Sequence, residues 1–336
     1  MSNPPTSGNS TLTIELGGSS ALTRILYAVL RPTVAPVIGA LATAALRLPY
    51  RSRNVFAVSS FTDAPAAILL PPRGTRRKLV KFKDFRAEWV WPRTVPSPLD
   101  RPDAAIIYFH GGVYAAGGLN SHRRLVAKIA RASGIPVFNV HYRMMPAPLT
   151  DTIEDALTAY RHLLDSGIPA DRIIVSGDSA GGGLSFLLAL RVRDLGLPVP
   201  GGISVIAPWS NMDNTAKEKH PNAALDQALP GHLWRAFVEW GIAVDGMVDP
   251  AWSAVNHDFA GLPPVLIQVG STESLRPDSE ELAQRCADAG IPCRLQLWDR
   301  ALHVFQAGSD LLPDARVAIH DMGAFNRSVL ESAARP

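Results

Sequence analysis

The chain has 336 residues, of which 47% are hydrophobic and 19% charged, and its formal net charge is +3. This balance supplies enough apolar side chains for a sizeable folded core. The mild charge, with no accompanying recognition motif, argues against a nucleic-acid partner. The two cysteines, Cys286 and Cys293, lack the Cys/His spacing of a zinc site, so we expect no bound metal. Reduced thiols in the cytoplasm are the first interpretation, and the short loop between the two cysteines leaves a disulfide open.

The N-terminal region divides into a polar leader and an apolar segment. Residues 1–20 are rich in Ser, Gly, Asn and Pro, which predicts a disordered leader. In the segment 21–60, which we interpret as helical, the run from 25 to 46 is apolar apart from Arg31. Its uncharged part is shorter than the ~20 residues that a membrane span needs, and Pro32 and Pro36 interrupt it. We therefore favour apolar helices that cap the protein, with peripheral membrane contact as the alternative.

A cluster of basic residues follows the apolar segment. We interpret it as a solvated loop, while contact with an anionic membrane is the alternative. Its members are Arg73, Arg76, Arg77, Lys78, Lys81 and Lys83.

From residue 61 onward, strand-like and helix-like segments alternate, which predicts an α/β catalytic domain with a mostly parallel sheet and helices on both faces. Strands are predicted at 104–109, 136–140, 172–176, 202–206, 265–269 and 294–298. Helices are predicted at 121–133, 151–166, 180–195, 279–289 and 315–333. An insertion at about 209–255, rich in Trp and Pro, breaks the alternation. The strand 294–298 is expected at a sheet edge, where it could pair with a second copy in a homodimer.

The strongest motif is Gly177-Asp178-Ser179-Ala180-Gly181, which matches G-x-S-x-G. It stands between a predicted strand and a predicted helix, where a tight turn presents a serine hydroxyl at the strand end. Glycines on both sides let strand and helix approach each other closely. The motif predicts that Ser179 is a nucleophile.

A second glycine motif, His110-Gly111-Gly112-Val113-Tyr114, directly follows the predicted strand 104–109. Backbone N–H groups in such a loop can stabilise the oxyanion of an acyl-transfer intermediate. We expect oxyanion donors at Gly111, Gly112 and Val113, together with Ala180, which follows the nucleophile.

A serine nucleophile also needs a general base and a carboxylate that orients it. His303 lies in a loop after the last predicted strand, whereas His320 falls inside the final helix, so we predict His303 as the base. For the acid, the loop after strand 265–269 offers Glu273 and Asp278. Glu273 is closer to the strand end and is favoured; Asp278 stands where a helix begins and is interpreted as its cap.

Together these motifs resemble the hormone-sensitive-lipase-like carboxylesterases of the α/β-hydrolase fold, over about 85–305. The HGG segment looks like the family's H-G-G-G-[FWY], and GDSAGGG matches its nucleophile elbow. Further similar landmarks are Tyr142-Arg143 with Pro146, Asp249-Pro250, Leu262-Pro263-Pro264 and Leu302-His303-Val304-Phe305.

The resemblance implies hydrolysis of short- to medium-chain carboxylic esters through an acyl-enzyme, without cofactor or metal. It also implies a cap formed by the N-terminal helices and the Trp-rich insertion. Candidate pocket residues are Tyr114, Asp178, Trp209 and Trp234, with Phe237, Trp240 and Trp252 as further aromatic candidates. Other acyl substrates with the same triad, namely lipids, acetylated sugars or amides, stay open, as does a non-catalytic binding protein.

Three departures from the family pattern stand out. Val113 replaces the third glycine of the oxyanion motif and should narrow the pocket. Glu273 stands where the family usually has Asp, so its loop must accommodate one more methylene. The segment YRMMPA lacks the Glu of the family's Y-R-L-A-P-E.

Overall fold

A computed structural model of the chain describes residues 11–48, 54, 56, 63–100 and 102–333. The nine strands of these residues form one sheet in the order β1-β9-β8-β7-β6-β4-β5-β3-β2. β2, β3 and β5 pair antiparallel, and all other neighbours pair parallel. The strands are β1 (Leu12–Gly17), β2 (Thr75–Lys81), β3 (Arg86–Pro92), β4 (Ala105–Phe109), β5 (Val137–His141), β6 (Ile173–Asp178), β7 (Gly202–Ile206), β8 (Val265–Gly270) and β9 (Cys293–Trp298).

Helices cover both faces of this sheet, because its central strands are apolar on both sides. In β4, Ile106 and Tyr108 belong to one apolar cluster and Ile107 and Phe109 to another, as the two-residue period of a strand requires. The helices are α1 (Ala21–Arg47), α2 (Leu119–Ser133), α3 (Leu149–Asp165), α4 (Ala180–Asp194), α5 (Thr215–Lys219), α6 (Asn222–Leu225), α7 (Gly231–Phe237), α8 (Arg276–Asp288) and α9 (Pro313–Ala333). The predicted α/β-hydrolase architecture is confirmed.

The prediction of a disordered leader is wrong for residues 12–17, which form β1; residues 1–10 lie outside the described residues. Leu12, Ile14 and Leu16 alternate with polar residues, a strand pattern that the polar surroundings obscure. β1 pairs with β9 in parallel, and Glu15 accepts hydrogen bonds from Arg294 at 2.9 and 3.0 Å. β9 is therefore not an edge strand, because β1 occupies that side. A homodimer stays a prediction, without β9 as its pairing edge.

The opposite edge of the sheet also differs from the prediction. Most of the basic cluster lies in β2, which pairs with β3, instead of in a loop. Its side chains are nevertheless mostly exposed. A row of charges on an outer strand protects the sheet from pairing with another chain.

The apolar N-terminal segment forms a single long helix over its described part. α1 runs through Pro32 and Pro36, which we expected to interrupt it. Among the described residues, α1 is the one helix long and apolar enough to cross a membrane, and 11% of its most apolar window is buried. Residues 49–53, 55 and 57–62 lie outside the described part, so the rest of the predicted segment 21–60 is tested only at isolated positions.

The insertion at 209–255 carries the short helices α5, α6 and α7 in place of regular alternation. The two cysteines, Cys286 in α8 and Cys293 in β9, are both free and buried.

Candidate active site

Ser179 lies between the carboxyl end of β6 and the first residue of α4. Its backbone φ of 53° falls in the left-handed region that favours glycine, so the turn is strained. Neighbouring backbone holds it there: Ser179 N donates to Ile206 O at 2.8 Å, and Trp209 N donates to Ser179 O at 2.9 Å. These hydrogen bonds hold the strained serine at the carboxyl edge of the sheet, as a nucleophile elbow requires.

The glycines of the motif are needed because backbone passes close to both. A Cβ on Gly177 would lie 2.4 Å from Gly181 O, and one on Gly181 would lie 2.0 Å from Phe109 O. No side chain fits at either position. The G-x-S-x-G spacing is therefore a packing requirement of this strand–turn–helix junction.

The loop after β4 brings the second glycine motif next to the elbow. Gly112 has a φ of 115°, and a Cβ there would lie 2.1 Å from Ala116 O. Val113 has a φ of 53°, which is costly for a β-branched residue. Among the described residues, no acceptor is found for the N–H groups of Gly112, Val113 and Ala180. These three donors are free to bind an oxyanion.

Gly111, the fourth predicted donor, has a different role. Its N–H donates to Asp178 Oδ1 at 3.0 Å, and a Cβ at Gly111 would lie 2.2 Å from Asp178 Oδ2. The structure therefore removes Gly111 from the set of oxyanion donors. Instead, Gly111 anchors the loop to the residue that precedes the nucleophile.

Asp178 was predicted to line the substrate pocket, and the structure corrects this. It is buried, accepts a hydrogen bond from Tyr108 Oη at 2.7 Å and lies 3.4 Å from His122 Nε2. Burial alone would raise the pKa of Asp178, but the charge and hydrogen bond of His122 and the Tyr108 hydroxyl lower it. The carboxylate is thus occupied in joining β4, the oxyanion loop and α2.

His303 and Glu273 meet although 30 residues separate them. Glu273 follows β8 and His303 follows β9, so both lie at the carboxyl edge with Ser179. His303 Nδ1 lies 2.6 Å from Glu273 Oε2, and Gly270 N donates to Glu273 Oε1 at 2.6 Å. With Nδ1–H donating to the carboxylate, Nε2 of the neutral imidazole is left as a base.

Burial and the mutual hydrogen bond shift the pKa values of Glu273 and His303 in opposite directions. Burial raises the pKa of Glu273, and its hydrogen bond to His303 offsets only part of that effect. Burial lowers the pKa of His303, but the hydrogen bond and charge of Glu273 outweigh it, and Asp226 and Asp178 add to the rise. The net result is a histidine with a raised pKa.

Asp278, the alternative acid, is engaged elsewhere. Its carboxylate lies 2.9 Å from the fully buried Lys217 Nζ and accepts hydrogen bonds from Ser210 N and Asn211 N. Asp278 therefore joins α8 to the inserted segment and is not simply a helix cap. Of the two carboxylates, Glu273 is the one bonded to His303.

The inserted segment forms hydrogen bonds with the loop that carries Glu273, which we call the acid loop. The sequence did not reveal this feature. Asn222 Nδ2 donates to Glu273 O at 2.8 Å and to Ser271 O at 2.9 Å. Asp226 Oδ2 accepts from Ser274 N at 2.8 Å, and Gln227 Nε2 donates to Ala301 O at 3.1 Å. The only signal for these residues was their place in the Trp-rich insertion.

Three predicted pocket residues form a buried aromatic chain that reaches the base. Ring centroids lie 5.9 Å apart for Tyr114 and Trp209, 5.2 Å for Trp209 and Trp234, and 6.2 Å for Trp234 and His303. Trp234 Nε1 also donates to Ser274 Oγ at 2.8 Å. These rings support His303 and the acid loop from one side.

A histidine cluster lies behind the elbow. His110 Nε2 is 3.3 Å from His141 Nδ1, and His122 approaches Asp178. Burial, followed by the charges of His122 and His141, lowers the pKa of His110 to about 3, so this ring stays neutral. Across the described ranges, no group of His, Cys, Asp and Glu side chains is arranged to hold a metal ion.

Comparison with known proteins identifies the fold and the family. The profile of an α/β-hydrolase-fold family matches residues 106–307. An acetyl-hydrolase of Streptomyces hygroscopicus is 36% identical over 243 residues, which cover 72% of this chain and 79% of the relative. The esterase LipU of Mycobacterium tuberculosis is 32% identical over 79% of this chain and 91% of its own length.

Solved structures point the same way. The crystal structure of an esterase from the bacterial hormone-sensitive lipase family superposes with a TM-score of 0.76 at 27% identity, covering 93% of this chain and 99% of the other. This chain belongs to the hormone-sensitive-lipase family of α/β hydrolases. It is a carboxylic ester hydrolase, as its relatives are. EstE5, from a crystal soaked with p-nitrophenyl butyrate, superposes with a TM-score of 0.77 at 29% identity, covering 93% and 100% of the two chains.

Proposed function

We propose that this hormone-sensitive-lipase family member is a serine carboxylesterase that cleaves short- to medium-chain esters through an acyl-enzyme on Ser179. The observation that carries the proposal is the 2.6 Å contact between His303 Nδ1 and Glu273 Oε2 at the sheet edge that also presents the strained Ser179. A buried carboxylate fixes the tautomer and orientation of the imidazole, which is what a general base needs.

In the first half of the reaction, His303 Nε2 takes the proton of Ser179 Oγ as this oxygen attacks the ester carbonyl. The oxyanion receives hydrogen bonds from the N–H groups of Gly112, Val113 and Ala180. His303 then passes the proton to the leaving alcohol, and an acyl-Ser179 ester remains.

In the second half, His303 activates a water molecule that attacks the acyl-Ser179 carbonyl. The same donors stabilise the second oxyanion, and the proton returns to Ser179 Oγ when the acid leaves. These steps use side chains and backbone alone, so we propose hydrolysis without a metal or organic cofactor.

Val113 favours small acyl groups in this proposal. Its β-branched side chain stands where the family's motif has glycine, in the loop that carries two of the proposed oxyanion donors. The acetyl-hydrolase among the relatives is consistent with a short acyl chain. We expect Val113→Gly to raise kcat/KM for p-nitrophenyl octanoate relative to acetate by about tenfold, the lower end of what one methylene is worth in an apolar pocket.

A panel of p-nitrophenyl acetate, butyrate and octanoate tests the proposal. Ser179→Ala should lose at least about a thousandfold in kcat. Ser185→Ala makes the same change six residues further along the chain, inside α4, and should stay near the parent rate. Among the described residues, Ser185 Oγ bonds to Gly181 O alone. No hydrolysis by the parent protein would favour an amide or acetylated sugar as substrate, or a binding protein.

A further inference from the structure

The outward face of α1 carries a series of large apolar side chains. Its exposed side chains recur every three or four residues, as one face of a helix requires. Among them Ile25 is 58% and Leu41 is 63% exposed. The large apolar side chains of this outer face of α1 are Leu22, Ile25, Val29, Val37 and Leu41, and the exposed Leu48 follows directly after the helix. A contiguous apolar surface of this kind marks an interaction site.

The inward face of α1 is tied to the folded body at several points. Ser20 N donates to Asp314 Oδ2 at 3.2 Å at the start of the helix. His232 Nε2 lies 2.9 Å from Gly39 O in the second half. The preceding strand β1 is paired with β9. Because both the strand and the helix are held, α1 is placed to lie on a surface and not to cross a membrane.

The charges of α1 indicate which surface it meets. Its ionisable side chains, apart from Tyr27, are Arg24, Arg31 and Arg47, with no carboxylate anywhere in the helix. A second copy would bring these like charges together, because a two-fold interface sets the same patch against itself. Anionic phospholipid headgroups complement them, and interfacial helices combine an apolar face with arginines in this way.

An apolar groove adjoins the outer face of α1. It has a volume of about 360 Å³ and lies between α1 and the inserted segment. Leu41 belongs both to the outer face and to this groove, while Leu233, Phe237 and Trp240 line its far side. The groove thus extends the apolar surface from α1 toward the inserted segment.

We propose that α1 is an interfacial docking helix. Its outer face lies in the headgroup layer of a membrane that contains anionic phospholipid, and Arg24 and Arg47 pair with the lipid phosphates. Arg31 is oriented toward the inserted segment, where it donates to Ala224 O at 3.4 Å. The proposal concerns the surface alone and holds whether or not Ser179 is the nucleophile.

Co-sedimentation of the full chain with vesicles tests this. We expect binding to vesicles of phosphatidylcholine with phosphatidylglycerol and weaker binding to phosphatidylcholine alone. All arms carry Ser179→Ala, so that lipid hydrolysis cannot alter the vesicles. The combined variant Ile25→Gln, Val29→Gln and Leu41→Gln should lower the partition coefficient at least about tenfold. Absence of vesicle binding by the parent chain would overturn the proposal.

Two sets of controls separate this helix from other surfaces. Leu311→Gln with Val317→Gln removes exposed apolar side chains elsewhere and should leave binding unchanged. Arg24→Gln with Arg47→Gln should weaken binding to the anionic vesicles only. The triple variant Arg76→Gln, Arg77→Gln and Lys78→Gln removes basic residues from β2. If this variant loses vesicle binding while the triple glutamine variant of α1 retains it, the basic edge strand β2 is the docking site and the proposal is wrong.

A second copy as the occupant would give a different result. We expect sedimentation velocity without lipid to show no dimer that depends on α1. A dimer through α1 would be present in the parent chain and absent in the triple glutamine variant of α1. Such a dimer would contradict the proposal. Thermal unfolding of each variant, with a Tm near that of the parent, ensures that lost binding is not lost folding.

Discussion

At the scale of single residues, we expect the two acidic candidates to have different roles: Glu273 acts in catalysis, and Asp278 stabilises the fold. Glu273→Gln keeps the shape of the side chain but cannot hold protonated His303, so kcat should fall at least about a hundredfold with a smaller change in KM. Asp278→Asn leaves the fully buried Lys217 without its counter-charge. It should lower the free energy of unfolding by about 3 kcal/mol while kcat changes little.

Steady-state kinetics and urea unfolding of the two variants check this division. Each variant is the other's control, since both neutralise one buried carboxylate near the same helix. A large loss of kcat in Asp278→Asn at full stability, with Glu273→Gln active, would assign the triad acid to Asp278.

Asp226 is predicted to tune the base. Its charge is one of those that raise the pKa of His303, and hydrolysis needs His303 neutral. Asp226→Asn removes a charge that stabilises the protonated ring, so the pKa of His303 falls and the acid limb of the kcat/KM profile moves to lower pH.

The matched control is Asp213→Asn, on an exposed turn of the same inserted segment, which should leave the acid limb in place. A shift to higher pH in Asp226→Asn, or equal shifts in both variants, would contradict the role of Asp226.

At the scale of elements, central strands and flanking helices could be predicted because local pattern and burial agree. The segment 202–206 matches β7, and the apolar run at 104–109 contains β4 (Ala105–Phe109). β1, β2 and β3 were missed. β1 and β2 are edge strands and half solvated: β2 carries a row of charges, and β1 lies in a polar leader. β3 is internal and buried, but the charged Glu88 interrupts its apolar run. α1 continues through Pro32 and Pro36, although proline in a helix interior removes a backbone hydrogen bond.

The hydrogen bonds between the inserted segment and the acid loop can be tested by substitution. Asn222→Ala removes both hydrogen bonds to the loop and leaves the carbonyls of Ser271 and Glu273 unpaired, at about 1–3 kcal/mol. We expect kcat to fall several-fold with KM nearly constant, because the loop positions His303 and not the substrate.

Asn256→Ala is the control, since Asn256 bonds to an exposed carbonyl, Pro250 O, away from the acid loop. Stopped-flow or steady-state assays on p-nitrophenyl butyrate distinguish the two. Equal kcat values in both variants would mean that the Asn222 hydrogen bonds do not position His303 for catalysis.

At the scale of the whole molecule, the candidate site is where the carboxyl ends of β4, β6, β8 and β9 meet. Ser179, Glu273 and His303 could be predicted because the G-x-S-x-G motif is local in sequence. The loops after two predicted strands also supplied the acid and the base. It did not reveal Asn222, Asp226 and Gln227, nor the bond from Gly111 to Asp178. Those contacts join distant segments and leave no periodic signal. The predicted cytoplasmic location stays a prediction.

Covalent labelling tests the central claim most directly. The parent chain is treated with a fluorophosphonate probe and analysed by intact mass and peptide mass spectrometry. The account predicts one adduct per chain, on the peptide that contains Ser179, and its absence in Ser179→Ala together with the loss of ester hydrolysis. An adduct on another residue, or hydrolysis by Ser179→Ala at the parent rate, would contradict it.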